Sequence, residues 1–414
     1  MNNQPKPGVL ITGGAWFHES PGGAYKVATE FAEYLAEENY RVFYLAASES
    51  DSNVTTITHN GVEVWKYPKP NGNSPSLGNL LNHILYSRRL AKRIYQQYPI
   101  KYLNGHDPLQ FIGASQALKR HLQAASFSVH SPLVQEHRAH WGLSQDVAQT
   151  GHLSLQRQLA LKLLSYIESS VYKRADIIQT DSKFTLKEIS RDYPKPVGNK
   201  GVVRNLWVDL ERFRPCQDKQ SIRRRLGAPW QDNNSPIFFT IRRLVPRMGL
   251  DELIKAVGLL CHEGKSCRLI IGGSGPEREN LESLVKTLSL ERNVFFLGRV
   301  SDEDLPACYQ AADCFILPTK ALECFGLIIL EAFASGIPTI ATEVGAIPEI
   351  VRQLGNDFLI REAKPQLIAH KMRAFCETKL SVDSLALRKI AESYEYRRQS
   401  DRLAKCLLTP SFAK

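Results

Sequence analysis

Short apolar runs, most of them four to seven residues long and many separated by a stretch of helical periodicity, recur along this chain in two sets. The first set is Val9 to Thr12, Arg41 to Ala47, Val62 to Tyr67, Ile100 to Leu103, Ser126 to Val129 and Asp176 to Gln179. Between them, Ala24 to Glu38 places Val27, Phe31, Ala32 and Leu35 at helical spacing, and Leu80 to Tyr98 reads as a basic helix. After a connector near Asn205 to Pro215 the alternation restarts with Ile237 to Thr240, Arg268 to Ile271, Val294 to Leu297, Cys314 to Leu317 and Thr339 to Ala341. Helices are expected at Leu250 to His262, Glu277 to Leu288 and Leu327 to Ala334. Short strands alternating with crossover helices are what a parallel sheet covered on both faces requires. A chain of 414 residues with 43% apolar content is also longer than one core usually grows. The expectation is an α/β fold of two Rossmann-like domains facing each other across a deep cleft, with ligand held at the carboxyl ends of the strands.

The eight cysteines all follow residue 215, and none forms a Cys-x-x-Cys pair or a metal-spaced Cys/His set. Reduced thiols are expected, without a disulfide framework or a cysteine-based zinc site. No apolar run reaches the roughly 18 residues that span a bilayer, and Met1 to Gly8 is polar and proline-punctuated, so a cytoplasmic protein is expected. A formal charge of +11 favours anionic partners: nucleotide phosphates, phosphorylated acceptors or an anionic membrane surface. The basic runs Arg88-Arg89-Leu90-Ala91-Lys92-Arg93 and Arg397-Arg398 have no nucleic-acid motif around them, so no nucleic-acid partner is expected.

Two glycine-rich turns are candidates for phosphate binding. Gly13-Gly14 and Gly22-Gly23 bracket a long first loop holding Trp16, Phe17 and His18, and Gly22 and Gly23 stand at the helix entry. Gly272-Gly273-Ser274-Gly275 turns a strand into a helix, where backbone can approach a ligand; close strand-helix packing explains such glycines equally well. Neither turn is a phosphate loop or a tight dinucleotide fingerprint. Cations supply another route: Arg242-Arg243-Leu244-Val245-Pro246-Arg247 directly follows a strand, so its guanidinium groups, Arg242, Arg243 and Arg247, are expected at the crevice rim, where a planar fork can bind phosphate oxygens. Arg299, just past Val294 to Leu297, joins the donor-binding candidates.

Glu323 lies in a loop after a buried strand, and Glu331 lies inside the following helix among apolar neighbours. A carboxylate so placed needs a partner, either ribose hydroxyls or a neighbouring arginine. The spacing Glu323-x7-Glu331, with Phe325-Gly326 after the first Glu and Glu331-Ala332-Phe333-Ala334-Ser335-Gly336 after the second, resembles the retaining glycosyltransferases of family 4, which have the GT-B fold. The resemblance covers nearly the whole chain. It implies that Glu323 lies by the donor sugar, that Phe325, Gly326 and Leu327 present backbone N–H groups to phosphate or sugar, and that Glu331 binds the ribose. It matches Arg243 to the donor-site arginine, Gly23 to a glycine near the diphosphate, and His130 to a histidine near the sugar 6-hydroxyl. The companion lysine falls at Met248, leaving Arg247 as the nearest replacement, and Leu206-Trp207 replaces the usual Asn-Gly before Val208 to Phe213.

The resemblance further implies residues 1–207 as an acceptor-side domain, 208–390 as the nucleotide-sugar domain, and a helix within 391–414, from about Ala391 to Leu408, crossing back to the first domain. The implied reaction moves a hexose, with UDP-glucose or a similar donor favoured, to a saccharide or lipid-linked acceptor. It proceeds with retention by front-side attack and without cofactor or metal. Arg243 and Arg247 would stabilise the leaving diphosphate while His130 and Glu323 orient the sugar. The alternatives are a sugar-nucleotide epimerase or phosphorylase of the same fold, and a non-catalytic basic binding protein.

Overall fold

The structure is a computed structural model that describes residues 6–20, 22–69, 77–142, 153–231, 235–377, 380 and 382–409. Most of the Pro68 to Gly78 stretch and of the Met1 to Gly8 opening lies outside these residues. The chain forms two compact units: Met1–Val134 with Gly151–Asn205 and Arg397–Lys414, and Gln135–Thr150 with Leu206–Tyr396. These divisions fall two residues before the expected 207/208 boundary and six after the expected 390/391 boundary.

In the first unit the described strands are β1 (Gly8–Gly14), β2 (Arg41–Ser48), β3 (Thr55–His59), β4 (Val62–Pro68), β5 (Ile100–Gly105), β6 (Ala124–Val129), β7 (Ile177–Thr180) and β8 (Gly201–Val203). They form one sheet in the order β3-β4-β2-β1-β5-β6-β7-β8. Every pairing is parallel except β3 with β4. That hairpin turns on Asn60 and Gly61, both at positive φ (47° and 78°), as a two-residue turn of this hand requires. Leu10, Leu45, Leu103, Phe127 and Ile178 from the sheet pack with Phe111 and Val171 from its helices into one buried core. Gly113 lets the helices Leu77–Gln97 and Pro108–Leu118 meet closely, since a Cβ there would lie 2.3 Å from the Ile84 carbonyl oxygen.

The second unit contains β9 (Ile237–Ile241), β10 (Arg268–Gly272), β11 (Val294–Gly298), β12 (Cys314–Leu317), β13 (Thr339–Thr342) and β14 (Leu359–Ile360). Its sheet order is β11-β10-β9-β12-β13-β14, parallel throughout. The chain leaves β9 towards one edge and β12 towards the other, so the loops after these two neighbours part and open a crevice between them.

The expected strands are present, and three more appear. β3 is an edge strand with mostly exposed side chains, and β8 and β14 are three and two residues long, too short to carry a period. The helix expected over Ala391 to Leu408 is in fact two, Ser384–Glu392 and Tyr396–Leu408. The break has a backbone cause: Val208 N–H donates to the Tyr394 carbonyl at 2.9 Å, and Glu395 forms a parallel bridge with Val208. The second helix buries Ser400, Leu403, Ala404 and Leu407 on one face and belongs to the first unit, where Arg204 Nε donates to Cys406 Sγ at 2.9 Å.

Candidate active site

In the second unit several candidate side chains gather where β9 and β12 end. Arg242, the first residue past β9, is buried. Its Nη2 donates to Glu323 Oε2 at 2.6 Å and its Nη1 to Thr319 Oγ1. Burial lowers the Arg242 pKa from its ordinary value, and the Glu323 charge acts against that shift. The pair is a part-buried charge-assisted contact joining the two strand-end loops. Its backbone is equally fixed: Arg242 N–H donates to Gly272 O at 3.0 Å and Leu244 N–H to Ser274 O at 2.9 Å. This close approach explains Gly273, which has φ 114° and where a Cβ would fall 1.8 Å from Arg242 O. Gly273 therefore supports the arginine loop through backbone packing.

Arg243 points the other way. Its side chain is 67% exposed and lies 4.0 Å from the Glu136 carboxylate. Arg247 is largely covered, and its guanidinium is engaged: Nη1 donates to Leu322 O at 2.7 Å and Nη2 to Glu136 Oε1 at 3.2 Å. Leu322 has φ 54°, unusual for leucine, so Arg247 braces the strained backbone that presents Glu323. Its guanidinium is thus engaged by protein groups at the position expected to replace the missing lysine; Met248 itself is buried.

The loop bearing Glu323 runs through buried Phe325 into the helix Leu327–Ala334, capped by Gly326 at φ 95°. The first N–H groups of a helix have no partner within it, which makes this start suited to an anion. Glu331 is buried inside that helix and accepts a hydrogen bond from Tyr309 Oη at 2.8 Å. Burial, and next the Glu331 charge, hold the Tyr309 pKa well above its ordinary value, so the phenol keeps its proton and the carboxylate accepts it. A tyrosine thus fills the place for which an arginine was the structural alternative. Arg299 is exposed beyond the edge strand β11, two strands away from β9, and is not brought into this group.

In the first unit, Gly22 is the extended N-cap of the helix Gly23–Glu37, and a Cβ on Gly23 would meet nothing within 4 Å. That space is compatible with a ligand. Gly13 and Gly14 are structural instead: a Cβ at Gly13 would overlap the Tyr44 hydroxyl, and Gln110 bonds both the N–H and the carbonyl of Gly14.

His130, the first residue past β6, has both ring nitrogens within hydrogen-bond distance of partners. Nδ1 lies 3.0 Å from Asp181 Oδ2 and Nε2 lies 2.7 Å from His106 Nδ1; His106 Nε2 in turn lies 2.6 Å from Asn104 Oδ1. Asn104 Nδ2 donates to Ser126 Oγ, which identifies Oδ1 as an acceptor and puts the His106 proton on Nε2. Burial, and next the neighbouring His130, push the His106 pKa well below 6.5, so that ring is neutral and its Nδ1 accepts from His130 Nε2–H. On the other side His130 Nδ1 faces Asp181, whose pKa burial raises and the nearby His130 lowers. Hence His130 is anchored at both nitrogens within the protein, and contact with a sugar hydroxyl requires exchange of one of these bonds.

Sequence reading took Arg242 as one of the phosphate-facing guanidinium groups instead of the partner of Glu323, and missed His106, Asp181 and Tyr309. Three of these share one signal with His130: each is the first residue beyond a parallel strand, β9, β5, β7 and β6 respectively. Side chains there stand at the carboxyl edge of the sheet, where doubly wound folds bind ligands.

Comparison with known proteins agrees with this architecture. Residues 222–395 match the family described as glycosyl transferases group 1, and residues 21–212 match Glycosyltransferase Family 4. An uncharacterized glycosyltransferase of Methanocaldococcus jannaschii is 30% identical over 229 residues, 55% of this chain and 56% of that protein. A GDP-mannose-dependent monoacylated alpha-(1-6)-phosphatidylinositol monomannoside mannosyltransferase of Corynebacterium glutamicum is 34% identical over 186 residues, covering 42% and 46%. The chain spans about half the length of the curated relatives it matches. Among solved structures, sucrose-phosphate synthase from Thermosynechococcus elongatus superposes with a TM-score of 0.80 at 17% identity, covering 99% of this chain and 100% of that one. With two family models covering most of its length and two doubly wound parallel-sheet units, this chain belongs to the group 1, family 4 glycosyltransferases and has the GT-B fold.

Proposed function

We propose that the protein is a retaining glycosyltransferase that moves a hexose from a nucleotide-diphosphate sugar to a saccharide or lipid-linked acceptor in polysaccharide or glycolipid synthesis. The observation that carries this reading is the Arg242–Glu323 pair between β9 and β12, with exposed Arg243 on one of its loops and the start of the helix Leu327–Ala334 on the other. In this reading Arg242 holds Glu323 aimed, so that the carboxylate orients the sugar and shares its developing oxocarbenium charge. Arg243 and the N–H groups after Gly326 receive the departing diphosphate, and Glu331 takes the ribose hydroxyls. Arg247 contributes by holding the Leu322 carbonyl. Gly22, Gly23 and His130 are proposed for contacts with diphosphate, acceptor and sugar. A diphosphate oxygen takes the acceptor proton, so no side chain serves as a conventional general base.

UDP-glucose or a related UDP-hexose is the donor we favour, and the GDP-mannose dependence of the Corynebacterium relative makes GDP the direct competitor. Calorimetric titration of the protein with UDP-glucose, GDP-mannose and ADP-glucose tests the reading. One of them should bind at least about tenfold more tightly than the others, and Arg243→Ala should weaken that binding by tenfold or more. No binding by any of the three defeats the donor assignment, and unchanged affinity in Arg243→Ala defeats the role of that residue.

A further inference from the structure

A second cluster, independent of the glycosyl-transfer reading, lies on the first unit. His18 from the β1 loop, Glu33 from the helix Gly23–Glu37 and His59 from the end of β3 bring their ligand-type atoms within 4.8 Å of one another. His18 Nε2 is 3.3 Å and His59 Nε2 is 3.6 Å from the same oxygen, Glu33 Oε1. These separations are long for hydrogen bonds, whose usual N···O distance is about 2.9–3.0 Å. They suit atoms sharing one ion: ligands about 2.0–2.1 Å from a tetrahedral centre are about 3.4 Å apart. The same oxygen also accepts from Asn60 Nδ2 at 3.0 Å, so three nitrogens converge on an atom with two lone pairs.

The scaffold fixes each group before any ligand arrives. His59 is the last residue of β3, paired with Val62 across the tight Asn60-Gly61 turn. Glu33 lies on the third turn of a well-packed helix, between buried Ala32 and Tyr34. His18 rides on a turn closed by Ser20 N–H to Trp16 O at 2.9 Å, and Phe17 N–H reaches Thr29 Oγ1 of the same helix at 3.3 Å. Buried Trp16 packs near both imidazoles, with ring centroids 5.4 Å from His18 and 6.0 Å from His59, and the two imidazoles lie 4.4 Å apart. Both histidine side chains are about two-fifths exposed (43% and 42%), which leaves solvent access for entry and for completing a coordination shell.

We propose that His18, Glu33 and His59 form a binding site for a divalent transition-metal ion of the zinc class, with solvent in the remaining position. Two imidazoles and one carboxylate are a donor set for Zn(II), Co(II) or Ni(II), and they are poor ligands for Mg(II) or Ca(II), which prefer all-oxygen shells. Asn60, bonded to the carboxylate, orients it from outside the shell. Occupation ties three separate elements together, among them the loop that leads to Gly22 and Gly23. The ligands stand 15 and 26 residues apart in sequence, so motif spacing does not show them.

The test is calorimetric titration of chelator-stripped full-length protein with ZnCl2 alone, set against magnesium chloride. One zinc site should be lost, or weakened by tenfold or more, in each of His18→Ala, Glu33→Gln and His59→Ala, while His121→Ala keeps it and magnesium gives no site. Co(II) added to the parent protein should produce d–d absorption that the His18→Ala/His59→Ala double variant lacks. The His18 and His59 side chains are part-exposed and Glu33→Gln is nearly isosteric, and matching melting curves establish that the variants are folded. Zinc stoichiometry and affinity unchanged in the single variants, absence of zinc binding in the parent, or a Co(II) spectrum surviving in the double variant would each overturn the assignment.

Discussion

Arg242 and Arg243 are adjacent in the sequence and opposite in consequence. The Arg242 side chain is 5% exposed and ion-paired, so Arg242→Met strands the Glu323 carboxylate in a partly buried site; that should lower stability by on the order of 3 kcal/mol. Arg243→Ala should leave the urea midpoint unchanged and act only on donor affinity, because its side chain is 67% exposed. Equal loss of stability in both would show that burial does not separate their roles. His106 offers a pH reading. Its folded pKa lies well below 6.5, so the unfolded chain takes up a proton there that the native ring refuses. Its contribution is complete above about pH 6.5 and is lost as pH falls through that value, up to about 1.4 kcal/mol between pH 7.5 and 5.5. Asp181, with a raised pKa, works in the opposite direction. Urea melts at both pH values should show a smaller acid loss in His106→Asn than in the parent.

At the scale of elements, the turn from β10 into its helix sets the position of the arginine loop. Gly273→Ala introduces a Cβ 1.8 Å from Arg242 O at a φ of 114°, so backbone must shift. The expected result is a loss of more than about 1 kcal/mol in chemical denaturation together with weaker donor binding, although Gly273 need not touch the nucleotide. A fully stable variant with parental affinity would contradict that coupling. The elements themselves were largely legible, since buried parallel strands write themselves as continuous apolar runs. β3 was not, because an edge strand with exposed threonines lacks that run; nor was the break at 393–395, which depends on Val208 pairing far upstream.

For the whole molecule, charge is the feature that acts at long range. No helix among the described residues is long and apolar enough to cross a membrane. The helix Leu77–Gln97, however, exposes Leu81 and Leu85 on the side that continues into exposed Arg88, Arg89 and Lys92. Apolar side chains beside cations suit an anionic lipid surface, and the net charge of +11 favours approach. The protein should sediment with vesicles containing anionic lipid at low salt and lose most of that binding near 0.5 M salt, with Leu81→Asp/Leu85→Asp weakening it further. Absence of binding at low salt removes the membrane surface as a partner.

The sequence by itself determined the two parallel-sheet sets, most of the strands that compose them, and the Glu323/Glu331 motif, because each is written in local pattern or spacing. Tertiary structure alone decided which arginine is buried against Glu323, that Tyr309 partners Glu331, and that His130 is held between His106 and Asp181. It also decided that His18, Glu33 and His59 converge. The physical reason is common to all four: burial and pairing depend on which strand ends, helix faces and loops become neighbours, and tertiary packing places residues tens of positions apart within reach of one another.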